Sequence, residues 1–195
     1  MTILVGTASW ADKSLVDSGK FYPPDVTSPE ARLRYYASQF PLVEVDSSYY
    51  AMPLPATTQQ WAERTPDHFI FNVKAFRLFT GHQTQPRVFP KDIQETLGLP
   101  VTQNVYYRDL PEEIQKELWG RFFRALQPLH AAGKLGAVHF QFAPWIASGG
   151  SRASWSSTAL ASWKARRWRS SFGTRRGGTS ATASRRWPSS ASTDW

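Results

Sequence analysis

The chain contains no cysteine among its 195 residues. That absence excludes a disulfide scaffold, a thiolate zinc site and a cysteine nucleophile together, and it fits a reducing compartment. Nor is there an apolar run long enough to span a bilayer, and residues 1–5 are too short and lack the basic flank of a secretory leader. A soluble, cytoplasmic protein with no membrane partner is therefore expected. A third scarcity is local. Of 15 Asp and Glu residues only Asp194 lies beyond Ile146, and up to Ile146 the acids and the Lys and Arg residues number 14 each. The whole formal net charge of +8 thus belongs to residues 147–195, which hold 8 Arg and 13 Ser but only Leu160 and Phe172 from the Leu, Ile, Val, Met and Phe set. So little apolar surface cannot offset the entropy of ordering a backbone, and a disordered basic tail is expected there. The sequence divides into a folded region over residues 1–146 and that tail over 147–195.

What is present in the first region is alternation of strand and helix signals. The apolar residues 3–6 close in Gly6-Thr7-Ala8-Ser9 and predict a buried first strand. Ser28 before Pro29 and Glu30 is a helix start, with Leu33, Tyr36 and Phe40 as its apolar stripe. Residues 42–46 predict a second strand, Pro55 a helix carrying Trp61 and ending near Arg64, and residues 69–75 a third strand of period two. The longest helix is expected over 109–134, with Ile114, Leu118, Phe122, Ala125 and Leu129 on one side and a kink at Pro128. A fourth strand follows over 135–142. Strands separated by helices imply parallel βαβ units with right-handed crossovers.

Residues 76–108 carry no clear periodicity, and a connection of that length reads equally as a functional loop or lid or as a poorly ordered insertion. Arg77, His82, Arg87 and Lys91 lie in it beside Phe79, Phe89, Tyr106 and Tyr107, a mixture suited to anionic or sugar ligands.

Several collinear blocks carry a family resemblance. Gly6-Thr7-Ala8-Ser9-Trp10, Phe21-Tyr22-Pro23-Pro24, Tyr35-Tyr36-Ala37 and Val43-Glu44-Val45-Asp46-Ser47-Ser48-Tyr49-Tyr50 resemble the YecE-like family, also called domain of unknown function 72. Trp61-Ala62-Glu63-Arg64-Thr65-Pro66, the run from Phe69 to Ala75 and the run from Leu135 to Pro144 fit the same pattern. The resemblance covers residues 1–145 and implies a TIM-type (β/α) barrel, comparable with metal-dependent sugar isomerases and apurinic-site endonucleases. It brings no established activity. At Trp145 the blocks stop, which leaves the first four β/α units of such a barrel, a half barrel. Arg, Ser, Ala, Gly, Thr and Trp are what GC-rich codons yield out of frame, and back-translation of residues 162–186 in a shifted frame permits a Val-Ala-Val-Glu-Phe strand followed by paired tryptophans. The tail therefore reads as a frameshifted segment of a truncated protein. Its interleaved Arg166, Arg167, Trp168 and Arg169 would attract phosphate without evolved specificity.

Strand parity selects the candidate site. In a barrel alternate residues face the helices and the interior, and the working end lies at the carboxyl ends of the strands. Val43, Val45, Phe69, Phe71, Val73, Val138, Phe140 and Phe142 are then helix-facing, while Glu44, Asp46, Asn72, Lys74, His139 and Gln141 face the interior. Ionisable groups there are costly unless paired, hydrated or engaged with a ligand. Glu44 and Asp46 are candidates for general base or metal ligand, and Lys74 for stabilising negative charge. Trp10, Tyr49, Asn72, His139 and Gln141 are candidate ligand-binding residues. Against this, Glu44 and Lys74 can be a plain ion pair, Asp46 a loop cap and His139 a satisfied core residue, while His68 and His130 read as surface residues. Glu44, Asp46 and His139 are ligand types for a divalent metal, but too few to define a centre. Three function classes stay open: an enzyme acting on a phosphorylated or carbohydrate ligand, a non-catalytic binder of nucleic acid or sugar phosphate, and an inactive truncation product.

Overall fold

In the computed structural model, which describes residues 3–146, the expected alternation is present. The elements are α1 Lys13–Asp17, α2 Pro29–Gln39, β1 Leu42–Val45, α3 Ser47–Tyr50, α4 Pro55–Glu63, β2 Ile70–Lys74, α5 Lys91–Leu97, α6 Glu112–Ala131 and β3 Leu135–His139. The strands form a parallel sheet in the order β1-β2-β3. The readings made for residues 147–195, disorder and a shifted frame, lie outside the described residues.

Local chemistry sets these boundaries. Ser28 caps α2 by accepting a hydrogen bond from the Ala31 amide at 3.0 Å, ahead of Pro29 at the first helical position. Pro55 opens α4 in the same position. α6 starts later than its composition predicts, because Tyr107–Asp109 form a separate 3-10 turn in which the Asp109 carboxylate accepts from the Tyr106 amide at 3.1 Å. It runs through Pro128, one turn from its end, and stops before Gly133, which takes φ +70°. Lys134 then turns inward instead of extending the helix. Its ammonium donates to the carbonyls of Ala62 and Thr65, both at 2.6 Å, and so satisfies orphan groups at the end of α4. Burial pulls its pKa below the ordinary lysine value.

The face of the sheet carrying Val43, Val45, Phe71 and Val73 is buried, as parity predicts. Trp61 of α4 stacks on Phe71 with ring centroids 6.1 Å apart, and Tyr36 of α2 meets Phe69 edge-on at 6.2 Å. α4 and α6 are tied together where the Thr58 hydroxyl donates to the Ala125 carbonyl at 2.6 Å. Each large side chain so buried contributes roughly 1.5–3 kcal/mol, and the core is therefore the helix-facing layer.

Three expectations are corrected. Residues 3–6 form no strand, and Ile3 and Val5 are 78% and 64% exposed. Pairing with β1 begins only at Thr7, which accepts from the Glu44 amide at 3.0 Å, while Ser9 donates to the Glu44 carbonyl at 2.8 Å. The cause is Tyr36, whose hydroxyl accepts from the Thr7 amide at 2.7 Å and donates to the Leu42 carbonyl at 3.2 Å, taking the places a ladder would use. The fourth predicted strand ends at His139 and is bulged: Phe71 pairs with Leu135 but Val73 pairs with Val138. Residues 76–108, finally, are not a poorly ordered insertion. They fold as 3-10 turns at Arg77–Thr80 and Pro86–Val88, the helix α5 and an antiparallel bridge between Thr84 and Val105, around buried Phe79, Phe89 and Ile93. Phe79 stacks on Trp119 of α6 at 3.9 Å. The segment after β3 returns to this insertion, where the Ala143 amide donates to the Thr80 carbonyl at 3.0 Å and Ile146 lies over Gly81.

Candidate functional site

The carboxyl ends of β1, β2 and β3 bring four of the predicted residues into one bonded cluster. Lys74 Nζ lies 3.4 Å from Glu44 Oε1 and pairs with Asp46 Oδ1. The other oxygen of Glu44, Oε2, lies 3.0 Å from His139 Nδ1. Register explains the convergence, since Glu44 pairs with Asn72 across the β1–β2 ladder and Lys74 with His139 across β2–β3. Ser48, fully buried, secures the strand ends, its hydroxyl lying 2.8 Å from the Val45 carbonyl and 2.7 Å from that of Lys74. Nothing in the sequence singled out Ser48; its signal is the position directly after a strand and Asp46, where a short polar side chain can reach two backbones.

Electrostatics fix the charge of Lys74. Burial pulls the Lys74 pKa down, but the hydrogen bond and charge of Asp46, together with the charge of Glu44, more than offset it and hold the ammonium above the ordinary lysine value. Lys74 is thus a permanent cation at neutral pH and not a base. Its side chain is 16% exposed and that of His139 50%, so the cluster has a buried cationic floor and an open imidazole rim. An ionised Glu44 requires the proton of a neutral His139 on Nδ1, which leaves Nε2 as the basic atom. Asp46, read as a loop cap, makes no capping bond to α3; its carboxylate goes to Lys74 instead.

The remaining candidates are placed elsewhere. Asn72 has a local role, its Oδ1 accepting at 2.9 Å from the Ala137 amide that the β3 bulge leaves unpaired. Trp10 joins the helix-facing aromatic layer, with centroids 5.3 Å from Trp61 and 6.3 Å from Phe71. Gln141 is exposed beyond the end of β3. Tyr49 sits beside the cluster, with the Arg77 guanidinium 5.5 Å from its ring centre and His82 edge-on at 5.4 Å. Burial raises its phenol pKa. His68 and His130 are at the surface as predicted. Among the described residues no group of three or more His, Asp or Glu side chains is placed to hold a metal ion. The Lys74 ammonium stands between Glu44 and Asp46 in the place a divalent cation would need.

A family model described as protein of unknown function DUF72 matches residues 4–172 of this sequence. The chain belongs to the DUF72 family. The match passes Trp145, so membership extends beyond the point where the residue blocks end. The UPF0759 protein YunF of Bacillus subtilis (strain 168) is 31% identical to the DUF72 chain over 144 residues, which are 74% of this chain and 41% of YunF. Two crystal structures of a DUF72 family protein (EF0366) from Enterococcus faecalis V583 share the fold. The one at 3.10 Å resolution gives a TM-score of 0.57 at 21% identity over 84% of this chain and 48% of that one. The one at 2.52 Å gives 0.51 at 22% over 71% and 46%. This chain spans less than half the length of these relatives. It is an α/β protein with a parallel sheet in a family whose molecular function is unknown, and no described helix is long and apolar enough to cross a membrane.

Proposed function

We propose that the cluster of Glu44, Asp46, Lys74 and His139 is an acid–base and ligand-binding site for a phosphorylated or carbohydrate ligand. The observation that carries this reading is the sharing of Glu44 between a fixed cation and a half-exposed imidazole at the carboxyl end of a parallel sheet. That is the end at which α/β architectures bind ligands. Glu44 orients His139 so that Nε2 can take or return a proton, while Lys74 offers positive charge to an oxygen that becomes anionic. Asp46 keeps Lys74 in place. In this reading the sheet is the first half of a (β/α) barrel, supported by three parallel strands in chain order and by relatives about twice as long. For the residues after 146 the frameshift reading competes with the family match, which runs in the present frame to residue 172, and the encoding DNA tests it: a shifted frame with early stop codons, or without the Val-Ala-Val-Glu-Phe run, overturns it.

The test of the site compares Glu44→Gln and His139→Ala with the parent chain on p-nitrophenyl phosphate and p-nitrophenyl glycosides, with thermal melts in parallel. Turnover should fall on the order of 100-fold or more in both. Because Lys74 retains Asp46 when Glu44 loses its charge, the melt should move little, by about 1 kcal/mol or less for a partly exposed pair. A large stability loss with activity intact means a structural ion pair and ends the proposal.

A further inference from the structure

A cavity of about 450 Å³ opens on the insertion, and none of the four cluster residues lines it. Arg77, Arg87, Gln83, Gln85, Asn104 and Tyr50 contribute to its wall, and no carboxylate does. Elsewhere among the described residues, Arg34, Arg64, Arg108, Arg121 and Arg124 all pair with acids. Arg77 and Arg87 do not, and neither does Arg32, which lies over Tyr22 outside this cavity with its own Nε unpartnered among the described residues. Arg77 is also held in a way that costs free energy: its guanidinium lies over Tyr49, and its buried Nε has no hydrogen-bond partner among the described residues. An unmet buried donor on a cation is unfavourable unless something else accepts from it. Its positive charge also contributes, after burial, to the lowering of the His82 pKa, so the region is electropositive without counter-charge.

We infer that this cavity holds the phosphate of a phosphate monoester on a hydroxylated small molecule. Two guanidinium groups match a doubly charged anion with several acceptor oxygens. Side-chain amides, which both donate and accept, suit the hydroxyl groups of the attached moiety. The rim is open enough, with Tyr50 58% exposed, to admit a ligand larger than the ion itself. None of Glu44, Asp46, Lys74 and His139 is among the cavity residues, so this binding stands whether or not those four prove to do chemistry.

Ribose 5-phosphate, ribose and inorganic phosphate serve as probes, titrated calorimetrically into the full chain at physiological salt. The variants are Arg87→Gln, which changes an exposed side chain, Arg77→Gln, and Arg124→Gln as a control on the exposed face of α6, outside both the cavity and the acid–base cluster. Ribose 5-phosphate should bind saturably, at least tenfold tighter than inorganic phosphate, and ribose should not bind. Arg87→Gln should weaken it at least tenfold while Arg124→Gln leaves it unchanged. The acid–base cluster and the basic residues beyond 146 are common to every variant, so affinity that survives Arg87→Gln and Arg77→Gln comes from outside the cavity and overturns the assignment. Equal affinity for ribose 5-phosphate and inorganic phosphate overturns it too.

Discussion

His82 shows how one residue reports on its surroundings. It is buried, its Nδ1 lies 3.1 Å from the Thr80 hydroxyl, and the rings of Tyr49 and Trp145 contact it. Burial and the nearby Arg77 charge hold its pKa below the ordinary imidazole value of 6.5. The folded state therefore prefers the neutral ring. Protonation is easier in the unfolded chain, so stability is full above pH 6.5 and declines as pH falls toward the folded-state pKa. Melting temperatures of the parent chain should fall as pH drops below about 6.5, and His82→Gln should flatten that part of the profile. An unchanged profile in the variant would place the acid sensitivity elsewhere.

At the scale of elements, the decisive irregularity is the bulge in β3. Asn72 fills it from the neighbouring strand, and Gly136 makes room, since a Cβ there would lie 2.5 Å from Asn72 Oδ1 and from Ile70 Cγ2. Gly136→Ala should therefore push Asn72 off the Ala137 amide. A loss of about 1–3 kcal/mol is expected from the unsatisfied backbone donor, read in denaturant unfolding. The same variant should disturb His139, three residues on, more than Glu44. Period-two parity found Glu44, Asp46, Lys74 and His139 because two of the three strands are regular and the bulge precedes Val138. It did not reveal the bond from the Ala137 amide to Asn72, because that neighbour across the bulge is invisible without the register. Caps at Ser28 and Pro55 were legible because they are local. The insertion was not, because its 3-10 turns have no helical period and its core residues are held by α6, far along the chain. Residues 3–6 look like a strand by composition, yet the ladder stops after them, because a hydroxyl contributed by α2 stands between the Thr7 amide and the Leu42 carbonyl.

At the scale of the whole molecule, the exposed Ile3, Leu4 and Val5 beside β1 are apolar surface at the margin of a parallel sheet. Such margins favour pairing between copies. Sedimentation of the chain should show concentration-dependent self-association, reduced by the double substitution of Ile3 and Val5 by lysine. A monomer at all concentrations would mean that other parts of the chain cover this edge. The return of the segment after β3 to the insertion has a different consequence. Ala143 donates to Thr80, Trp145 meets His82, and Gly81, at φ +81°, leaves space for the Ile146 side chain. The chain's heading as it leaves the described fold is thus dictated by the insertion and not by the strand it has just left. Loosening of the 3-10 turn at Arg77–Thr80 would release that heading, so local opening of the insertion and exchange of the Ala143 amide with solvent form a single cooperative event.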